Sequence, residues 1–142
     1  MSFYFILTTS AFVNWSSDLD SDIIKATRKL FDKLKIISLM DKESRIVVVE
    51  ETGNTIKNVL DTKELWVHEF VKEYYTIEQN TPGKEIEAVT NLALKKCELF
   101  DTVIIINGSN IYEEQKIIAQ KQNILVMNEL KALTYIIRNC SL

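Results

Sequence analysis

An unbroken run of β-branched residues, Val103–Ile106, constrains the fold of this chain more than any other stretch. The run is too apolar for a strand with one face in water, and it is typical of a central parallel strand covered by helices on both sides. The polar residues Asn107–Asn110 follow at what would be its carboxyl end. Because open α/β sheets bind ligands at the carboxyl ends of their strands, these residues are the first candidates for a site.

The hydrophobic pattern predicts alternating strands and helices along most of the chain. The other predicted strands are Phe3–Thr8, Arg45–Glu50 and Asn123–Met127, and the predicted helices are Leu19–Lys35, Pro82–Lys96, Asn110–Lys121 and Asn128–Ile137. Short links between strands and helices predict parallel strands joined by right-handed crossovers. We therefore expect one three-layer α/β domain spanning residues 1–142, with a mostly parallel central sheet flanked by helices.

Capping signals predict where these helices begin. Ser17 with Asp20 forms a capping-box-like start for the first helix, and Asn128 caps the last one. Thr81 followed by Pro82 is typical of a cap and a first helical position. The predicted last helix carries the apolar residues Leu130, Leu133 and Ile137.

Two stretches fit more than one structure. Ile36–Met40 fits a short strand or the end of the preceding helix. Glu64–Tyr75 fits either a helix or a strand. Trp66, Phe70 and Tyr74 have helical spacing, whereas alternate residues of the stretch would share one face of a strand. Twelve residues are long for a strand, so the pattern favours a helix here.

Composition excludes several classes of protein. The net charge is −3 and no basic block is present, which argues against tight, sequence-independent binding of nucleic acid by phosphate neutralisation. Cys97 and Cys140 are too few and too far apart for a disulfide framework or a zinc site. No apolar run approaches a membrane span, and the apolar segment Phe3–Leu7 is too short for a signal peptide. We expect a soluble cytoplasmic protein with reduced thiols.

Three colinear stretches together resemble a PIN-type nuclease domain of the subgroup found among toxin-like proteins. They are Phe5–Asn14 (FILTTSAFVN), Pro82–Ala93 (PGKEIEAVTNLA) and Asp101–Met127 (DTVIIINGSN…KIIAQKQNILVM). The resemblance implies a ribonuclease in which three or four carboxylates at the strand ends hold Mg²⁺ or Mn²⁺. Such a metal would activate water and stabilise charge on the scissile phosphate.

The chain departs from that family pattern at its acidic positions. Thr8 stands where the family has an aspartate, and Asn107 and Gly108 stand where the subgroup has paired aspartates. Glu85 and Glu87 match the acids of the family's helix, and the resemblance makes them catalytic candidates. Glu50 and Glu51 are the nearest candidates for the acid of the second strand. Glu85 and Asn107 are the candidate ligands of a Mg²⁺ or Mn²⁺ ion.

Two functional hypotheses follow. In the first, the domain derives from a nuclease, no longer cleaves, and binds RNA or a protein partner or forms a homodimer. The candidate residues for binding nucleic acid are Thr8, Thr9, Asn107, Ser109 and Asn110. In the second, it is a weak metal-dependent ribonuclease that uses the remaining glutamates, with Thr8 and Asn107 as neutral ligands.

Structural explanations compete with these assignments. Acids in the first turn of a helix, such as Glu85 and Glu87, interact favourably with the helix dipole. Asn107–Asn110 has the composition of a turn followed by a cap, and His68 has no recognisable catalytic partner. A restriction-endonuclease-like core is the competing fold, with Asp61, Glu69 and Lys72 as its signature, but the spacing of that signature is off by one and it leaves Phe3–Thr8 unexplained.

Overall fold

The computed structural model of the chain describes residues 2–8, 11, 21–51, 73–77, 84–107 and 123–140. Within these ranges lie five strands and three helices. They are, in chain order, β1 (Phe3–Thr8), α1 (Asp22–Met40), β2 (Arg45–Glu51), β3 (Glu73–Ile77), α2 (Lys84–Lys96), β4 (Thr102–Ile106), β5 (Ile124–Met127) and α3 (Glu129–Asn139).

The five strands form one parallel sheet in the order β3-β2-β1-β4-β5. The middle strand is β1, in which Leu7 pairs with Val48 of β2 on one side and with Ile106 of β4 on the other. The expected parallel α/β architecture is confirmed. The Val103–Ile106 run lies in an inner strand beside the middle one, since β5 continues the sheet beyond it.

The sheet separates two apolar layers, because β1 and β4 are apolar on both of their faces. Phe3, Phe5 and Leu7 face a layer formed by α1 and α3, whereas Tyr4 and Ile6 face a layer formed by α2. From the helices, the first layer receives Leu30, Phe31, Leu34, Ile37, Ala132 and Ile136. The second layer receives Val89 and Ala93 from α2 and Cys97 from the turn that follows it. Burial on both faces explains why these strands lack the alternation of a half-exposed sheet.

Helix α1 begins later and ends later than the sequence predicts. Its N-cap is Ser21, whose side chain accepts a hydrogen bond of 3.3 Å from the backbone N–H of Ile24. The predicted start at Leu19 is therefore wrong, and the predicted cap Ser17 lies outside the described residues. The helix continues through Ile36–Met40 because Ile37 is buried against the sheet, which excludes the short-strand alternative.

The helix predicted over Glu64–Tyr75 is wrong at its end, because Glu73–Ile77 is a strand. Val48 of β2 pairs with Tyr74 in this parallel ladder. Pairing with β2 satisfies the backbone of an aromatic and β-branched segment, and this tertiary contact outweighs the local helical spacing. Residues 52–72 lie outside the described part of the chain, and with them His68 and the restriction-endonuclease signature.

The described ends of the last two helices lie close to the predicted ones. α2 ends at the predicted Lys96, whereas its predicted start at Pro82 and the whole helix predicted over residues 110–121 lie outside the description. Asn128 caps α3 as predicted, accepting a hydrogen bond of 2.9 Å from Lys131 N–H. Leu130 and Ile137 are nevertheless 46% and 59% exposed, because α3 buries Ala132 and Ile136 instead.

A small polar cluster holds the amino-terminal edge of the sheet together. The Asp101 carboxylate accepts hydrogen bonds from the backbone N–H and the hydroxyl of Ser2, at 2.7 and 3.2 Å. These bonds hold the pKa of Asp101 below its ordinary value, chiefly through the backbone donor. The Asn123 amide donates to the carbonyl oxygens of Cys97, Phe100 and Asp101 at 3.1, 3.0 and 2.8 Å. The start of β5 is thereby fixed to the turn that follows α2.

Both cysteines, Cys97 and Cys140, carry free thiols. Of the helices in the described ranges, none combines the length and apolarity needed to cross a bilayer.

Candidate functional site

The strand order places a topological switch point between β1 and β4. From β1 the chain proceeds to β2 and β3 on one side of the sheet, and it then returns to add β4 and β5 on the other. At such a point the connections leave in opposite directions, which opens a crevice beyond the carboxyl ends of the two adjacent strands. Thr8 ends β1 and Asn107 directly follows β4, so both candidate residues lie at this crevice.

Thr8 and Asn107 are buried polar residues in this position. Their exposed fractions are 4% and 3%. The Thr8 hydroxyl donates a hydrogen bond of 3.2 Å to the carbonyl oxygen of Ile106, and the backbone N–H of Asn107 donates to that of Met127 at 3.1 Å. The end of β4 is thus joined to both neighbouring strands, which makes the floor of the crevice rigid.

Strand alternation assigns both residues to the α2 side of the sheet. Tyr4 and Ile6 of β1 and Val103 and Ile105 of β4 contact the α2 layer. Because successive side chains alternate between the faces, Thr8 and Asn107 continue those two rows. Whatever α2 presents at this edge therefore lies on the same side as these two residues.

Helix α2 runs from the carboxyl edge towards the amino edge. Its last residue, Lys96, places its ammonium group 5.5 Å from the ring centroid of Tyr4, near the start of β1. The Phe100 ring packs against the same tyrosine at a tilt of 46°, with the ring centroids 4.8 Å apart. Thirteen helical residues span about 20 Å, close to the length of the six-residue strand β1. The first turn of α2, which contains Glu85, is therefore level with the carboxyl ends of the strands.

The four candidate glutamates belong to elements that reach this edge. Glu50 and Glu51 end β2, one and two residues beyond the Val49 that pairs with Thr8. Glu85 is the second residue of α2, and Glu87, two residues later, is exposed and engaged in an interaction. The backbone thus brings together the strand ends and the helix start that the resemblance associates, whereas the side chains of Glu50, Glu51 and Glu85 lie outside the description.

A buried carboxylate that the sequence analysis did not select lies at the same edge. Glu129 is 1% exposed and follows β5 by two residues, directly after the Asn128 cap. An acid at the first position of a helix is usual, because it interacts favourably with the helix dipole. Only its burial distinguishes Glu129, and no feature of the sequence indicated that.

The remaining predicted residues lie outside the description. They are Thr9, Ser109 and Asn110. Among the residues that are described, no three His, Cys, Asp or Glu side chains converge as a metal site. The described polar side chains at this edge of the sheet include the Thr8 hydroxyl, the Asn107 amide and the Glu129 carboxylate.

Comparison with known proteins identifies no relative. No family model matches the chain, and no curated protein or solved structure matches it significantly. The assignment of the crevice as the candidate site rests on the strand order and on the chemistry of the residues there.

Proposed function

We propose that this chain is a PIN-like domain derived from a metal-dependent nuclease, and that its carboxyl-edge crevice now binds RNA with reduced or no cleavage. The observation that carries the proposal is the position of Thr8 and Asn107, side by side and buried at the switch point of a parallel sheet. The resemblance expects aspartates at both positions. Neutral residues there remove about two negative charges from the site, so that a metal ion binds less tightly.

The same substitutions favour direct binding of a polyanion. Phosphate groups are repelled by a cluster of carboxylates unless metal ions lie between them. Neither a hydroxyl nor an amide repels phosphate. The N–H groups of an amide such as that of Asn107 can donate hydrogen bonds to phosphate oxygens or to base edges, whereas the proton of the Thr8 hydroxyl is already donated to the Ile106 carbonyl oxygen. We therefore place the RNA backbone across Thr8 and Asn107, with Thr9, Ser109 and Asn110 as further contacts. A cytoplasmic location is part of this proposal.

A weak ribonuclease dependent on Mg²⁺ or Mn²⁺ is the second candidate. This candidate is supported by the position of the first turn of α2 at the carboxyl edge of the sheet. Glu85 then lies at the same edge as the ends of β1, β2 and β4. In this mechanism, Glu85 with Glu50 or Glu51 would hold the metal, and Thr8 and Asn107 would be neutral ligands. The metal would supply an activated water and charge stabilisation at the phosphate.

Binding of a labelled single-stranded RNA, measured by fluorescence anisotropy in EDTA and in Mn²⁺, tests the proposal. We expect binding in EDTA that weakens several-fold in Asn107→Asp, because the new carboxylate repels phosphate. Addition of Mn²⁺ should restore the affinity of this variant. Asn91→Asp is the matched control, since Asn91 is exposed on α2 and the charge change is the same.

The cleavage assay separates the two candidates. RNA cleavage that requires Mn²⁺ and disappears in Glu85→Gln would establish the ribonuclease. Absence of RNA binding in both EDTA and Mn²⁺, with the protein folded, would contradict both candidates.

A further inference from the structure

The exposed side of α3 forms an open groove of about 410 Å³ that is lined by both apolar and positively charged residues. Its lining includes Met127, Leu130, Lys131, Thr134, Tyr135 and Arg138, and we call it the α3 groove. It lies on the α1 side of the sheet, opposite the layer formed by α2. It is therefore separate from the rows that lead to Thr8 and Asn107.

The apolar part of the groove is exposed. Leu130, which lines the groove, is 46% exposed, and Ile137, which lies beside the groove two turns further along the helix, is 59% exposed. These two residues and Thr134 recur at spacings of four and three, which gives a stripe along the solvent side of α3. A stripe of this spacing is the geometry against which a second helix packs.

The charged part of the groove has one sign. Lys131 and Arg138 are both exposed and are seven residues apart, about 10.5 Å along the helix axis. In the described part of the chain, neither side chain has an ion-pair partner. The only acid of α3 is Glu129, which is 1% exposed. The solvent side of α3 is thus cationic in a protein whose net charge is −3.

We propose that the α3 groove docks an acidic amphipathic helix of a partner protein. Its apolar residues would pack on Leu130 and Ile137, and two carboxylates seven residues apart would pair with Lys131 and Arg138. The match in spacing aligns the partner helix along α3, and the two cations select a partner with negative charge.

Charge also argues against the other occupants. In a two-fold symmetric pairing of two α3 helices about an axis midway between Lys131 and Arg138, Lys131 of one copy would face Arg138 of the other, and these like charges would repel. A nucleic-acid backbone would satisfy both cations but would leave Leu130 and Ile137 in water. An acidic apolar helix satisfies both parts of the groove.

A stapled peptide of two heptads tests this proposal, because a short unstapled helix is marginal in water. The acidic probe carries leucines on one face and glutamates seven residues apart, and the basic probe replaces these glutamates with lysines. We expect the wild-type protein to bind the acidic probe at least about tenfold more tightly than the basic one, as two charge pairs allow. Fluorescence anisotropy at low and physiological salt measures both affinities.

Charge reversal on the protein completes the test. The double variant Lys131→Glu/Arg138→Glu should lose the acidic probe and gain the basic one. Lys95→Glu is the matched control, since Lys95 is exposed on α2 across the sheet and its reversal should leave the preference unchanged. Both protein side chains in the double variant are exposed, so the fold should persist, which circular dichroism checks.

Three results would overturn the proposal. The first is equal affinity of the wild-type protein for the two probes. The second is a loss of affinity for the acidic probe in Lys95→Glu as large as that in the double variant. The third is complete displacement of the acidic probe by single-stranded RNA. A concentration-dependent dimer in analytical ultracentrifugation that the double charge reversal abolishes would assign the groove to a second copy instead.

Discussion

The hydroxyl of Thr8 donates a hydrogen bond of 3.2 Å to the carbonyl oxygen of Ile106, across the junction of β1 and β4. Both groups lie in the interior, where an unsatisfied polar group is costly. The bond links residues 98 apart in sequence at the switch point between β1 and β4, where the strand order reverses.

Thr8→Val should therefore destabilise the protein by about 1 kcal/mol, the usual contribution of one such hydrogen bond. Urea denaturation followed by circular dichroism measures the difference. Thr27→Val is the matched control, because Thr27 is equally buried but donates within its own helix, to Ile23 at 2.8 Å. Loss of that local bond should change the stability by less than about 0.5 kcal/mol. Equal losses in the two variants would contradict a special role for the Thr8 bond.

Asn123→Ala should cost about 1.5 kcal/mol, because its amide is the common donor to the carbonyl groups of Cys97, Phe100 and Asp101. Thermal and urea unfolding measure this loss. In Asn139→Ala, which removes an exposed amide that donates to the Tyr135 carbonyl oxygen at 2.9 Å, the loss should stay below about 0.5 kcal/mol. If the two variants are equally stable, the Asn123 bonds do not hold β5 in place.

Asp101→Asn should make the stability of the protein less dependent on pH in the acid range. The bonds from Ser2 lower the pKa of folded Asp101 from 3.8, so the ionised form adds stability above that value. This stability is lost as the pH falls through the lowered pKa. Wild type should thus be more stable than Asp101→Asn at pH 7, and the difference should vanish in strong acid.

Urea titrations at several pH values measure this dependence. Ser2→Ala gives the graded comparison, since it removes the hydroxyl bonds but leaves the backbone donor, which has the larger effect on the pKa. It should keep most of the pH dependence. If the difference in stability between wild type and Asp101→Asn is constant over the whole pH range, the ionisation of Asp101 does not contribute to the stability of the fold.

The strands that are buried on both faces were predictable because their composition is local. Phe3–Thr8 matches its predicted bounds, and Val103–Ile106 lies in β4, which begins one residue earlier. Which of these strands lies in the middle could not be predicted, since both sequences are equally apolar. The strand order depends on which side of β1 each crossover connection places the next strand. Glu73–Ile77 was missed for a related reason, because its strand character comes from pairing with β2.

The candidate site was predictable in its place but not in all its residues. A polar residue after an apolar strand, such as Thr8 or Asn107, marks the edge of a parallel sheet in the sequence itself. Glu129 carries no such mark, because an acid at the start of a helix is ordinary and its burial depends on the packing of α3. The same packing leaves Leu130 and Ile137 exposed, although the pattern of apolar residues alone does not show which of them face the core.

The position of β1 in the middle of the sheet also sets the order of events during synthesis. This strand is made first, yet its second edge is closed only when residues 102–106 have left the ribosome. At ~5–20 residues per second, the nascent chain carries FYFILT with one edge open for roughly 5–20 s. For that interval this apolar strand is a template for mispairing, and its pairing with β4 ends the exposure.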